Sequence, residues 1–316
     1  MRLPTISARR YRTLAHVSLG LLTLIVLTGA AVRLTGSGLG CPDWPMCEGQ
    51  VIPPLEIHAW TEFGNRVLSG LVGFVVAAVA LLAWRRRPFR LSLAIVGTLL
   101  PLGVLAQAIL GGFTVRNHLA PGFVMGHFGL SMLILIAAVA MSWLAQYEPG
   151  ERPRKLDAKA VWAVRGLLAW GTVVLVAGAV TTASGPHAGA AGTGQIVPRL
   201  EFAGVDTLDT MIHWHGRTGT VLGLGALATF LWLRRRGDAP GQLLLALGTT
   251  CVLVAAQGVV GGLQYVLHLP AGLVWIHVTI ATATWLALLW SVAAAGRPAE
   301  RSPAAREAPP GALVAR

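Results

Sequence analysis

Histidine residues recur in this chain at a fixed separation that could place metal-ligating side chains at matched positions. The segments Gln107–His127 and Gln257–His277 lie 150 residues apart and agree at eight of their 21 positions, including both end residues. The same offset makes Asn65 the counterpart of His215. We infer that the chain contains two copies of one structural unit.

His127, His215 and His277 all lie in apolar segments of membrane-spanning length. An ionisable side chain inside a membrane helix is rare and usually functional. Two imidazoles on facing helices of a four-helix bundle can hold a haem iron by two axial bonds. A hydrogen bond between helices is the alternative for a single histidine. Because His215 and His277 are both matched through the repeat, we favour a metal for that pair.

A polar cluster in the second apolar segment contains Glu62, Asn65 and Arg66, which share one helix face at positions i, i+3 and i+4. One interpretation is a Glu62–Arg66 ion pair at the interface. The other is a partly desolvated carboxylate, suited to proton transfer, beside a ligand bound near Asn65 and His127.

Cys41 and Cys47 lie in the first outer loop, in the segment TGSGLGCPDWPMC. A disulfide bond is expected if this loop faces an oxidising compartment. A metal site would need further ligands nearby, and a redox-active thiol pair remains an alternative. Cys251 lies in an apolar segment and is expected to pack as a small apolar residue.

The remaining histidines give weaker signals. His118 and His268 correspond through the repeat and could bind haem propionates or cap a helix. His58 precedes Asn65 by seven residues, about 10 Å along the same helix face.

The elements that position these residues are predicted to be membrane helices, because the 316-residue chain is 54% hydrophobic and only 12% charged. The first segment is long enough to span and lacks a clear signal-peptide cleavage site, so we expect it to be retained. The predicted helices are residues 14–34, 60–84, 91–112, 123–146, 161–183, 209–233, 242–264 and 272–294.

The predicted fold is an all-α membrane protein whose eight transmembrane helices form two pseudo-symmetric four-helix bundles. We expect an N-terminal half at 1–148, a cytoplasmic linker at 149–160, a C-terminal half at 161–295 and a disordered cytoplasmic tail at 296–316.

Most of the 25 Lys and Arg residues lie in alternate loops that include both termini, which predicts cytoplasmic termini in a bacterial cell membrane. The net charge of +12 is therefore explained by topology and attraction to anionic lipid, and not by nucleic-acid binding. The other side carries five basic residues: Arg33, Arg66, Arg116, Arg199 and Arg217.

Several of these motifs together resemble the haem A synthase family. The resemblance rests on the Cys-containing loop, on EFGNR at the start of the second helix, on QAILGGFTVR and on the helix histidines, and it covers all eight helices. It implies oxidation of a methyl group of haem O, the substrate, to the formyl group of haem A. It also implies a b-type haem on His215 and His277, a substrate haem on His127, and Glu62 as the catalytic carboxylate.

The resemblance further implies that Cys41 and Cys47 are the family's paired loop cysteines. Substrate-haem contacts are then expected from Asn65, Arg66, His58 and His118, and propionate contacts from Arg217 and His268. Haem O synthase and other oxidase assembly factors are candidate partners. One departure concerns Asn65, where the family motif has a histidine. Because Asn is a poor iron ligand, a five-coordinate substrate iron is expected, and loss of activity is the alternative.

Two other classes of function stay open at this stage. An electron-transfer cytochrome b would bind haem without acting on it, and the Asn65 departure favours this alternative. A transporter could also be built from repeats, but it would bind no haem.

Overall fold

The computed structural model describes residues 5–151, 156–190 and 193–298 of the chain. These residues form eight long α-helices and one short parallel strand pair, β1 (Ile6–Ser7) with β2 (Arg86–Arg87). The helices are α1 (Ala8–Leu34), α2 (Ile57–Arg85), α3 (Leu91–Arg116), α4 (Pro121–Gln146), α5 (Ala158–Ser184), α6 (Thr207–Arg236), α7 (Gly241–Val266) and α8 (Ala271–Ala295).

Each helix begins and ends within about six residues of its predicted bounds, and local capping explains the differences. Helix α1 begins at Ala8 because the Ser7 side chain accepts a hydrogen bond from the Arg10 backbone N–H. Helix α5 likewise begins at Ala158, where Asp157 accepts from the Ala160 N–H at 2.8 Å. The predicted linker therefore ends sooner than expected.

Seven of the eight helices in the described residues are long and apolar enough to cross a membrane. Helix α6 has 30 residues but is less apolar than the others, since His213, His215 and Arg217 interrupt its first half. Residues 152–155 of the predicted linker and residues 299–316 of the predicted tail lie outside the described residues.

The helices pack as two closed sets of four. Helix α1 contacts α2 and α4, while α3 packs between α2 and α4; helices α5, α6, α7 and α8 repeat this arrangement. Helix α8 also packs on α1 and α4, and α4 packs on α5. The predicted all-α fold of two four-helix bundles is confirmed.

The apolar core crosses the boundary between the two sets of helices. Trp285 and Leu289 of α8 belong to the buried cluster formed by α1 to α4. The Trp285 indole N–H donates to the Met132 carbonyl at 3.2 Å, and the Trp275 N–H donates to the Leu27 carbonyl at 3.0 Å. The two sets are therefore packed as one body.

Candidate functional site

His215 of α6 and His277 of α8 face each other across the C-terminal set of helices, with their ring centroids 6.0 Å apart and their planes at 67°. The His215 Nδ1 lies 3.1 Å from the Val174 carbonyl oxygen of α5. Since that oxygen can only accept, Nδ1 carries the proton and Nε2 keeps its lone pair for a ligand. The buried Nδ1 of His277 has no hydrogen-bond partner among the described residues.

Glycines allow both rings to lie against neighbouring helices. A Cβ on Gly178 would lie 2.9 Å from Cε1 of His215, and a Cβ on Gly261 would lie 3.4 Å from Cε1 of His277. The same contact recurs in the first repeat, where a Cβ on Gly111 would lie 3.4 Å from Cε1 of His127. The repeated segment therefore twice places a histidine ring against a glycine of the neighbouring helix, an arrangement that we call a histidine seat.

The three helix histidines line one cavity of about 1890 Å³ that extends through both sets of helices. Its lining is largely apolar, with Val, Leu, Ala and Gly residues from all eight helices. A cavity of this size and character suits a large, flat, mostly apolar ligand.

The C-terminal part of this cavity meets the requirements of a haem iron bound by two histidines. A metal ion bonded to both imidazoles at about 2 Å would hold the ring centroids roughly 6 Å apart, close to the separation present. Both imidazoles line the cavity. The residues present therefore fit this group.

The N-terminal part has one imidazole in place of two. Within residues 5–151, 156–190 and 193–298, the buried Nδ1 of His127 and the buried Oδ1 of Asn65 have no hydrogen-bond partner, and both residues line the cavity. A Cβ on Gly29 would lie 3.9 Å from the Asn65 Nδ2, a looser contact than that between Gly178 and His215. Asn65 thus occupies the place of the second imidazole with space beside it.

Glu62 and Arg66 of α2 form an ion pair that also fastens the first outer loop. Glu62 is buried, and its Oε2 accepts from the Cys41 N–H at 2.9 Å while Oε1 accepts from the Arg66 guanidinium. Arg66 also donates to the carbonyls of Cys41, Asp43 and Met46. Glu62 and Arg66 therefore form the ion pair of the first interpretation. Both side chains also line the cavity, as the second interpretation requires.

The first outer loop is closed by a disulfide bond between Cys41 and Cys47, which confirms the predicted bond. Trp44 of this loop lines the cavity and packs on Gly112 of α3, where a Cβ would lie 2.8 Å from the indole. Arg116 donates to the Trp44 carbonyl at 3.0 Å. The loop thus covers one end of the N-terminal part of the cavity.

Asp43 stabilises the fold of this loop from within. Its carboxylate accepts from the Glu48 N–H at 2.7 Å and from the Gly49 N–H at 2.8 Å. Desolvation raises the pKa of Asp43, but these backbone hydrogen bonds and the nearby Arg66 charge outweigh it, so the net shift of the pKa is downward. Asp43 therefore remains ionised at neutral pH.

Three predicted contact residues lie away from the cavity lining. His58 is held by a hydrogen bond between its Nδ1 and the Ser37 hydroxyl at 3.0 Å. His118 and His268 are exposed and adopt positive φ angles of 49° and 59° in the two equivalent loops. Of the predicted propionate contacts, Arg217 lines the cavity.

Sequence reasoning gave no role to Arg33, Gln107 or Gln257, all of which line the cavity. The Gln107 Nε2 donates to the His127 carbonyl at 2.9 Å, so it supports the turn that carries the imidazole. The repeat has glutamine at both equivalent positions, 107 and 257, and this agreement could have indicated the role from the sequence. Arg33 has no equivalent basic residue in the repeat, and only the tertiary structure brings it to the cavity.

Known proteins are similar to this chain over most of its length. A family model described as cytochrome oxidase assembly protein, COX15-CtaA, matches residues 12–60 and 55–206. The heme A synthase of Shouchella clausii is 31% identical over 81% of this chain and 87% of its own length. That of Hyphomonas neptunium is 30% identical over 87% of this chain and 90% of its own length.

A third relative, the heme A synthase of Alkalihalophilus pseudofirmus, is 30% identical over 69% of this chain and 74% of its own length. Together with the paired histidine seats, the disulfide-closed loop and the eight-helix fold, these matches show that the chain belongs to the COX15-CtaA family of cytochrome oxidase assembly proteins.

Proposed function

We propose that this protein is a haem A synthase, which oxidises a methyl group of haem O to the formyl group of haem A. The observation that carries the proposal is the pair of facing imidazoles of His215 and His277, repeated in part by His127, in a cavity large enough for porphyrins. Relatives that align over most of their length bear the name heme A synthase.

In this proposal His215 and His277 hold a b-type haem as a resident cofactor, which when bound supplies one-electron redox chemistry. The Val174 carbonyl fixes the His215 ring and its tautomer. Arg217 lines the same cavity and is a candidate contact for a propionate.

In the N-terminal half, His127 would hold the substrate haem, and Asn65 stands at the position where the other half has the imidazole of His215. Oxidising a methyl carbon releases protons, and Glu62 is the buried carboxylate in that part of the lining that can accept one. Arg66 orients the carboxylate of Glu62 by donating to its Oε1. Trp44 and the disulfide-closed loop exclude water from that end of the cavity.

We place this activity in a bacterial cell membrane, with both termini in the cytoplasm and the histidine sites near the outer face. The distribution of Lys and Arg supports this orientation, and so does the disulfide bond in the first outer loop. The N-terminal half at 1–148 then handles substrate and the half at 161–295 carries the cofactor. Haem O synthase and oxidase assembly factors are the partners that this role suggests.

Glu62→Gln tests the role of the carboxylate, because it preserves shape and removes the charge. We expect haem A formation to fall by roughly 100-fold, with haem O accumulating and haem b still bound, as measured by extracting and identifying the haems. Glu56→Gln is the matched control, since Glu56 is exposed at the start of the same helix and its side chain makes no capping bond. Haem A at the wild-type rate in Glu62→Gln would leave Glu62 as a structural ion pair.

The resident haem has its own test. Replacing His215 or His277 with Ala should abolish the low-spin b-type spectrum while the protein still inserts into the membrane. An unchanged spectrum in both variants would contradict the assignment of these ligands.

An electron-transfer cytochrome b is the second candidate function. Asn65 favours it, since His127 is the one imidazole that the described N-terminal half contributes to the cavity lining. The contacts of Glu62 favour it too, because Oε1 accepts from Arg66 and Oε2 accepts from the Cys41 N–H. Such a protein would bind haem b and yield no haem A when supplied with haem O.

A further inference from the structure

Arg33, near the end of α1, is a cation placed at the boundary between the two sets of helices and inside the cavity lining. Its Nη2 donates to the Thr182 carbonyl of α5 at 2.9 Å, which carries the side chain from the first set of helices to the second. A Cβ on Gly189 would lie 3.3 Å from the Arg33 Cγ, so the loop before α6 packs closely on its aliphatic stem.

The guanidinium of Arg33 lacks an anionic partner among the residues that the structure describes. The ion pairs there involve Arg66, Arg86, Arg90, Arg236 and His213. The Nε of Arg33 is buried and has no hydrogen-bond acceptor in the described part of the chain. A desolvated guanidinium with an unused donor is unfavourable unless an anion meets it, and a planar carboxylate matches its geometry.

The position of Arg33 relative to the histidine seats indicates where that anion comes from. On α5, Gly178 lies against the His215 ring, and Thr182, which holds Arg33, follows four residues later, about 6 Å along the axis. A haem propionate leaves the edge of the macrocycle, so its carboxylate lies several ångströms from the iron. Arg33 is therefore displaced along the helix axis from the histidines that hold the iron, just as a propionate carboxylate is displaced from the iron itself.

We propose, on the basis of the proposed haem binding, that Arg33 of the N-terminal half binds a propionate carboxylate of the haem held by His215 and His277 in the C-terminal half. The unused Nε–H and the remaining guanidinium donors form the contact. The resident haem thereby bridges the two halves, because its iron is held by α6 and α8 and its carboxylate by α1.

The test compares haem with its dimethyl ester, which keeps the macrocycle and iron but removes both carboxylate charges. Solubilised apoprotein is titrated with each compound, and the low-spin spectrum reports binding at His215 and His277. We expect wild-type protein to prefer the free acid by roughly tenfold or more. Arg33→Met, which fills similar space without charge, should lose most of that preference and keep only the share due to Arg217, and Arg33→Lys should retain more of it.

Arg199→Met is the matched control, because Arg199 is exposed in the loop before α6 and lies outside the cavity lining. This variant should keep the wild-type preference.

The apoprotein of Arg33→Met should also unfold at a higher temperature than wild type, since an uncompensated buried charge has been removed. An unchanged preference in Arg33→Met, or equal binding of acid and ester by wild type, would overturn the proposal. This titration measures haem binding and does not measure haem A formation. A protein that prefers the free acid but makes no haem A would therefore contradict the proposed function and leave the propionate contact in place.

Discussion

Asn65 is the residue at which the two histidine sites differ in ligand chemistry. Its repeat counterpart, His215, packs tightly against Gly178, whereas Asn65 lies more loosely against Gly29. The Asn65 side-chain oxygen, Oδ1, is buried without a hydrogen-bond partner in the part of the chain that the structure describes. The site therefore has the backbone of a two-histidine seat, with an amide in place of one ring.

Asn65→His should restore that second ring. We expect the substrate haem in this variant to become low-spin and six-coordinate, visible as a second low-spin signal by electron paramagnetic resonance, with haem A formation reduced because the open iron position is filled. Asn117→His is the control, as Asn117 is exposed at the end of α3 and outside the cavity lining. A variant whose substrate haem stays high-spin would show that residue 65 does not face the iron.

The helix histidines that the repeat relates line the cavity, whereas His118 and His268, whose positions depend on loops, lie outside its lining. His118 and His268 are turned outward by their left-handed backbone, and the leucines that follow them line the cavity instead. Arg33 acts across the boundary between helices that are distant in sequence, and no local pattern encodes such a contact.

The helices themselves were predictable because apolar segments bounded by basic residues, Gly and Pro define membrane spans. Their ends were less predictable, since caps such as Asp157 extend a helix into polar sequence. The first outer loop is an element that sequence could only partly describe. Its disulfide was predicted, but its contact with α3 through Trp44 and Gly112 depends on how two elements meet.

Paired glycine variants test that contact. Gly112→Ala should destabilise the apoprotein by roughly 1–3 kcal/mol, because the new methyl group would collide with the Trp44 indole. Around its repeat counterpart Gly262, none of the described residues has an atom within 4 Å of an added Cβ, so Gly262→Ala should be neutral or stabilising through helix propensity. Thermal unfolding of the two solubilised variants measures this difference. Equal effects of the two substitutions would mean that Trp44 does not pack on α3 in solution.

Over the whole molecule, the repeat predicted two similar sets of helices but not how deeply they share a core. Trp285 of α8 lies in the first apolar cluster and donates to α4. A buried indole from the second half fills space in the first, so neither half is expected to fold well alone.

Separate expression of the two halves, divided after Glu151, examines this dependence. Each half alone should be degraded or aggregate, whereas the two expressed together should assemble and bind haem b, as shown by co-purification and the visible spectrum. Trp285→Ala should weaken that assembly, and Trp162→Ala, at an exposed position on α5, should not. A stable, haem-binding C-terminal half on its own would contradict a shared core.

The contacts between the two sets of helices have a symmetry of their own. Helix α4 meets α8, its repeat equivalent, while α1 meets α8 as α5 meets α4. An interface of this kind is self-complementary, so an ancestral four-helix unit could have paired with a second copy of itself through the same surface. In such a homodimer both sites are identical. Joining the copies in one chain removes that constraint, so one site could keep two imidazoles while the other acquired Asn65, Glu62 and a disulfide-closed cover.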